Sequence, residues 1–281
     1  MTGTTPATSI PALKEAVRDP RGTALFLDFD GTLAPFVGAS EDVILAADLL
    51  KTLTDLTARL GAVGVVSGRP VRFLRQVLPV PGLRLAGVYG LEEWIGGDVR
   101  DAPGVAAFLG ELRAARDVLM AATASVDNVT VKFKRVSIVV HWRNGGPAKS
   151  DHVAELIGEI AASSGLRLQA GKNALELLPP VEMHKGVVVR RACRSTRATR
   201  LLYVGDDVGD LAAFNVARKM GGLAVAVDGP GDHAAPPAVV AAADLVLPDQ
   251  RSVSSWLTEL ADALRTADGA PTRKSSVRGS S

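Results

Sequence analysis

Apolar and polar positions follow two different rhythms along the chain. Short apolar runs without internal alternation lie at 24–28, 62–67, 83–89, 200–205, 223–227 and 244–247. Such runs suit strands covered on both faces. Segments with helical periodicity lie at 42–59, 69–78, 184–194, 208–219 and 253–264. A short helix from Pro11 to Val17, with proline in its first turn, precedes them. Strands alternating with helices predict βαβ units and a parallel sheet. The expected class is α/β, with a Rossmann-like parallel-sheet core of the kind many hydrolases use.

The middle of the chain breaks this rhythm. A helical pattern at 104–125 leads into strand patterns at 129–133 and 137–143. A second helical pattern at 149–163 leads into strand patterns at 166–170 and 174–178. Helix-strand-strand, twice over, predicts a small antiparallel sheet with helices on one face. We expect an inserted α+β cap over 103–181, and a discontinuous catalytic core formed by 1–102 and 182–266. Gly96-Gly97 and Pro103 mark one edge of the insertion, Pro179-Pro180 the other. A cap that closes on the active edge of a sheet excludes water and supplies specificity groups. Residues 1–10 are expected to be loose. The tail 267–281, rich in Ser, Gly and Arg, is expected to be disordered.

Composition narrows the partners. The hydrophobic fraction of 47% over 281 residues is ample for one large domain or two medium ones. A net charge of +2, with 4% aromatic residues and no basic run interleaved with them, argues against nucleic acid. Cys193 is the single cysteine, so no intramolecular disulfide forms, and a reducing, cytoplasmic compartment is expected. Cys193 falls in a helical pattern and reads as a packing residue. No apolar run approaches the ~18 residues of a membrane span, so no membrane partner is expected. Residues 1–10 lack the basic-then-apolar pattern of a signal peptide. A monomer or small homo-oligomer is expected.

Four segments carry chemistry, each at a strand exit or helix start. The first is Asp28-Phe29-Asp30-Gly31-Thr32. In an extended segment residues i and i+2 face the same side. Asp28 and Asp30 then share one volume at a strand's C-terminal end, where open α/β sheets keep their ligands. Like charges this close need either a proton or a cation. Taken alone, Asp-x-Asp is also a common turn or cap. The second segment is Ser67-Gly68-Arg69, a hydroxyl with N–H groups at a helix start, which suits phosphate. The third is Lys185-Gly186, a point charge at the helix after the insertion. The fourth is Gly205-Asp206-Asp207-Val208-Gly209-Asp210, a source of hard oxygen ligands. Together they specify phosphoryl transfer. Asp28 is the expected nucleophile and Asp30 the acid/base. Thr32, Ser67, Gly68 and Lys185 are the expected phosphate contacts. Mg²⁺ is the expected cofactor, held by Asp28, the Asp30 carbonyl and Asp206, with Asp207 and Asp210 as supporting acids.

With these motifs in order, the chain resembles the haloacid dehalogenase superfamily, in its Mg²⁺-dependent branch with a large α/β cap. Leu27 to Pro35, Val66 to Arg69, and Tyr203 to Asp210 with Phe214 resemble the trehalose-6-phosphate phosphatase family. So do Lys134-Arg135-Val136-Ser137, His141-Trp142-Arg143 and Gly171 to Glu176 in the insertion. The likeness covers roughly 23–260. It implies hydrolysis of trehalose 6-phosphate, a small-molecule sugar phosphate, to trehalose and phosphate. It also implies that Arg69, Lys134, His141, Arg143 and Glu176 contact the substrate, with the cap residues meeting sugar hydroxyls or the seam between cap and core. On the bare pattern, Lys134 and Arg143 also read as solvated charges and His141 as a satisfied strand residue. Glu176 shares parity with Ala174 and Leu178, and an acid on an apolar face is paired or functional. Three positions depart from the family pattern. Tyr89 stands where a His is usual, and Gly209 and Leu211 replace the usual Thr and Glu. They leave open another sugar phosphate, such as sucrose phosphate, a hexose phosphate or a glycosyl-phosphoglycerate. A non-catalytic sugar-phosphate-binding module is the alternative from another class.

Overall fold

The structure is a computed structural model that describes residues 10–35, 43–95, 97–142, 146–171 and 174–269. In chain order it forms α1 (Pro11–Arg18), β1 (Thr23–Leu27), α2 (Ala47–Arg59), β2 (Ala62–Val66), α3 (Val71–Val77), β3 (Arg84–Gly87), β4 (Glu92–Ile95) and β5 (Asp98–Asp101). Then come α4 (Leu109–Thr123), β6 (Val129–Phe133), β7 (Ile138–Trp142), α5 (Gly146–Ser164), β8 (Arg167–Gly171) and β9 (Ala174–Leu178). The last third adds α6 (Lys185–Thr196), β10 (Arg200–Gly205), α7 (Leu211–Lys219), β11 (Leu223–Val227), α8 (Pro237–Ala242), β12 (Leu245–Leu247) and α9 (Gln250–Gly269).

The chain divides into two compact units. The first comprises Met1–Val65, Val77–Leu83 and Val189–Ser281; the second comprises Val66–Gln76 and Arg84–Val188. The second unit therefore takes in more of the chain than the expected insertion 103–181.

In the first unit the strand order is β12-β11-β10-β1-β2, all parallel. Every residue of β1, β2 and β11 is buried, because helices cover both faces of a parallel sheet. Helix α7 packs on β10 and β11, and α9 on α1 and α2. The chain moves outward from β1 in both directions, to β2 on one side and β10 on the other. Such a reversal of strand order opens a crevice at the strands' carboxyl ends.

In the second unit, β3, β4 and β5 are successive antiparallel neighbours. A separate antiparallel sheet has the order β6-β7-β9-β8. Helices α4 and α5 pack on one face of it, through Leu112, Leu119, Val153 and Ile157 against Ile138, Val140 and Leu177. Strand alternation then puts Val139, His141, Ala174 and Glu176 on the opposite face.

Several expectations are corrected. The strand expected at 83–89 stops at Gly87, and Val88–Gly90 forms a 3₁₀ turn with Val88 at φ 46° and Tyr89 at φ 60°. Strands β4 and β5 were not expected, since Glu-Glu-Trp-Ile and Asp-Val-Arg-Asp show no apolar alternation. They hold through cross-strand pairs such as Glu93 opposite Arg100, and through Arg75, 3.6 Å above the Trp94 ring. Helix α2 starts at Ala47 rather than near 42, because Ala46 is extended. The helices expected from 104 and 208 begin with 3₁₀ turns at Val105–Phe108 and Val208–Asp210. The short α8 was missed altogether. The tail expected to be disordered from 267 is still helical to Gly269, because α9 runs on to that residue, and residues 1–9 and 270–281 lie outside the described residues.

Candidate active site

The first unit gathers the acids of the first and fourth motifs. Strands β1 and β10 are in register, with Leu27 beside Val204, and the Asp28 N–H donates to the Val204 carbonyl at 2.9 Å. Asp28 and Asp206 therefore leave neighbouring parallel strands at the same edge. Asp28 is buried, and one of its carboxylate oxygens accepts the Phe29 N–H at 2.7 Å. A tight turn follows, in which the Phe29 carbonyl accepts from Leu33 and Ala34. Gly31 has φ 81°, and a Cβ there would overlap the Asp206 carboxylate. Glycine is thus required twice, by conformation and by close approach. Thr32, fully buried, donates its hydroxyl to Asp206 at 3.0 Å. Asp30 follows Asp28 by two residues and is half-buried at the head of this turn.

Asp210 organises the second strand exit. One of its oxygens accepts the Tyr203 hydroxyl at 2.6 Å; the other accepts the N–H groups of Asp206 at 3.2 Å and Asp207 at 3.0 Å. Asp207 in turn caps the Val208–Asp210 turn through the Val208 N–H at 2.7 Å. Carboxylate oxygens of Asp28, Asp206 and Asp210 lie within 4.8 Å of one another. Three hard oxygens in so small a volume form a donor set suited to a hard divalent cation. Burial first, and then the carboxylates of Asp210, Asp28 and Asp206, push the Tyr203 phenol well above its ordinary pKa. The phenol therefore stays protonated and serves Asp210 as a donor.

The remaining expected residues lie in the second unit. Ser67, nearly inaccessible, donates its N–H to the Ala86 carbonyl at 2.9 Å, and its hydroxyl accepts the Arg69 N–H at 3.1 Å. The Arg69 guanidinium sits 4.9 Å from the Phe73 ring centroid. Lys185, the first residue of α6, is buried. Glu176, buried on β9, accepts from three side chains. Lys134 at 3.2 Å and Ser137 at 2.6 Å share one oxygen, and Tyr89 reaches the other at 3.3 Å. Lys134 also donates to the Gly68 carbonyl at 3.1 Å. His141 is half-buried on β7, between Thr130 and Ala174. Arg143 lies outside the described residues.

A family model described as trehalose-phosphatase matches residues 26–233. The chain belongs to the trehalose-phosphatase family. Trehalose-phosphate phosphatases of Mycobacterium bovis and Mycobacterium avium are 31% and 29% identical to it, over 88% and 89% of the chain. An uncharacterised glycosyl hydrolase of Mycobacterium tuberculosis is 30% identical over 88% of the chain. The chain spans 63% and 64% of the two phosphatases and 19% of the third relative. Among solved structures, a trehalose-6-phosphate phosphatase related protein superposes with a TM-score of 0.72 at 24% identity, covering 85% of this chain and 97% of its own. The C-terminal domain of Candida albicans trehalose-6-phosphate phosphatase follows at 0.70 and 23%, covering 92% and 99%. Both share the fold.

Three participants in this family member escaped the sequence reading. Tyr203 is a polar side chain in the middle of an apolar strand, a position that requires a buried partner, and that requirement was the available signal. Ser137 belongs to the Lys134-Arg135-Val136-Ser137 stretch that carries the family resemblance, but nothing local pairs it with Glu176. The third is Glu92, which is buried and accepts from the Val71 N–H at 3.0 Å and from Arg135 at 2.9 Å, with Arg135 also paired to Asp101. This network braces the start of α3 against the turn between β6 and β7. Among the described residues, no helix is long and apolar enough to cross a membrane.

Proposed function

We propose that this member of the trehalose-phosphatase family hydrolyses trehalose 6-phosphate to trehalose and phosphate through an aspartyl-phosphate intermediate. The observation that carries the reading is the meeting of Asp28, Asp206 and Asp210 at the exits of β1 and β10, beside Asp30 and Thr32. An Asp28 oxygen forms a bond to phosphorus as the bond from phosphorus to the sugar oxygen breaks, and Asp30 protonates the departing oxygen. Asp30 then takes a proton from water as that water attacks the phosphorus, and the bond to Asp28 breaks to release phosphate. Thr32 keeps Asp206 oriented, and Tyr203 with two backbone N–H groups keeps Asp210 oriented. Mg²⁺, held by Asp28, the Asp30 carbonyl and Asp206 and backed by Asp210, would neutralise charge between the anionic nucleophile and the anionic ester. Ser67, Gly68 and Lys185 receive the phosphoryl oxygens in this proposal, on the strength of their motifs. Arg69, Lys134, His141, Arg143 and Glu176 receive the sugar, and 103–181 serves as the specificity cap. The working state is a monomer or small homo-oligomer in the cytoplasm, with no nucleic-acid or membrane partner.

A second reading keeps the chemistry and changes the sugar. Tyr89 favours it, because that side chain binds Glu176 directly. Phosphate release with Mg²⁺ over a panel of sugar phosphates decides between the two. Trehalose 6-phosphate should lead by at least tenfold in kcat/KM. Preference for another ester by orders of magnitude rejects the trehalose assignment. Asp28→Asn should abolish turnover with the fold intact, and undiminished turnover refutes the covalent mechanism.

A further inference from the structure

Three successive residues after β3 have positive φ: Val88 at 46°, Tyr89 at 60° and Gly90 at 98°. This region is costly for a β-branched or bulky side chain, and such strain persists only where the surroundings impose it. Here they do. Val88 is fully buried with Leu91, Ala102, Val105, Val136 and Leu178. Its N–H donates to the Arg69 carbonyl at 3.0 Å, and the Tyr89 N–H donates to the Ser67 carbonyl at 2.9 Å. The Tyr89 ring lies over Gly68 so closely that a Cβ on Gly68 would come within 3.0 Å of it. The ring's hydroxyl donates to Glu176. Lys134 closes the circuit, bonding the other Glu176 oxygen and the Gly68 carbonyl. Main chain and side chain of Tyr89 thus join the Ser67–Arg69 turn to the Glu176 carboxylate, all within the second unit.

We infer that Tyr89 is a positioning residue that holds Glu176 at a set reach from the Ser67–Arg69 turn, selecting phosphate esters of polyols with a hydroxyl at a matching distance from the ester. The inference rests on the reading above, in which Ser67 meets phosphate and Glu176 meets a sugar hydroxyl. A carboxylate offers about four acceptor positions. Tyr89, Lys134 and Ser137 take three of them among the described residues. The fourth suits a hydroxyl donor. An aryl phosphate carries no such hydroxyl and should ignore the arrangement.

The test compares wild type, Tyr89→Phe, Glu176→Gln and the double variant on trehalose 6-phosphate and on p-nitrophenyl phosphate, with Mg²⁺. Tyr89→Phe should raise KM for the sugar ester roughly five- to tenfold, a loss in the range of one ordinary hydrogen bond, as suits a contact of 3.3 Å. Its kcat for that ester should change less than about twofold, and its kcat/KM on the aryl ester should stay within about twofold. The double variant should lose less than the product of the single losses, because both act through one bond. Equal losses on both esters would indicate a merely structural role and overturn the inference. So would an unchanged KM for the sugar ester, or independent losses in the double variant. A wild type that cleaves the aryl ester but no sugar phosphate would reject the substrate reading first, and the inference with it. Failure of the inference alone shows only in the variants.

Discussion

Replacing Tyr203 by Phe isolates one hydrogen bond at the centre of the acidic cluster. The ring contact with Phe214, edge-on at 5.9 Å, is preserved, so only the hydroxyl is lost. That hydroxyl donates to Asp210 at 2.6 Å inside a fully buried site. A hydrogen bond to a charged group contributes about 1.5–3 kcal/mol. Asp210 keeps its two backbone donors, so a loss near the middle of that range, about 2 kcal/mol, is expected. For a chain of this size that is a fall of about 4–8 °C in Tm. The pH dependence supplies a second readout. The folded-state pKa of Tyr203 is raised by burial and by three carboxylates. Below about pH 10 the phenol is protonated in both states and its contribution is complete. Above that, the unfolded chain ionises first, so the contribution falls as pH rises towards the folded-state value. The stability gap between wild type and Tyr203→Phe should therefore be constant from pH 7 to 9 and shrink above about pH 10. Thermal melts followed by circular dichroism across pH 7–11 measure it. An equal Tm at pH 8, or a gap that widens above pH 10, would refute the reasoning. The Mg²⁺ concentration for half-maximal activity should rise about tenfold, as when a residue behind a metal ligand is lost.

Two further substitutions test the scaffold. Gly31→Ala sets a Cβ against the Asp206 carboxylate at a backbone of φ 81°, so kcat/KM for phosphate release should fall more than about tenfold; near-wild-type turnover would show that the turn relaxes freely. Asp249 caps α9, accepting the Ser252 N–H at 2.7 Å and the Ser252 hydroxyl at 2.8 Å, and these bonds hold its pKa below the usual carboxylate value. Asp249→Ala should cost about 1 kcal/mol at pH 7, measured by urea unfolding. Because the folded pKa is depressed, the wild-type advantage should persist above about pH 4 and vanish as pH falls below it.

The core strands were legible because a parallel strand buried on both faces writes its burial into an unbroken apolar run, as at 24–27 and 201–204. The β4–β5 hairpin was not legible. Ile95 and Val99 are 43% and 39% exposed, so its stability comes from cross-strand pairs rather than from an apolar face. In the first unit, the acids that meet, Asp28, Asp206 and Asp210, were legible through residue type and position after strands. The roles of Ser137 and Tyr89 were not legible, because each depends on Glu176, 39 and 87 residues away.

The division follows from what each kind of information can hold. Local sequence carries periodicity, turn chemistry and the side on which neighbouring residues emerge. It thereby determined an α/β chain with an inserted antiparallel segment, and a pair of acids, Asp28 and Asp30, at a strand exit. The tertiary structure decided which distant groups meet. The parallel register of β1 and β10 set Asp206 beside Asp28. The need of each buried polar group for a partner drew Tyr89, Lys134 and Ser137 to Glu176. Those pairings depend on strand register and on desolvation, which no local window of the sequence contains.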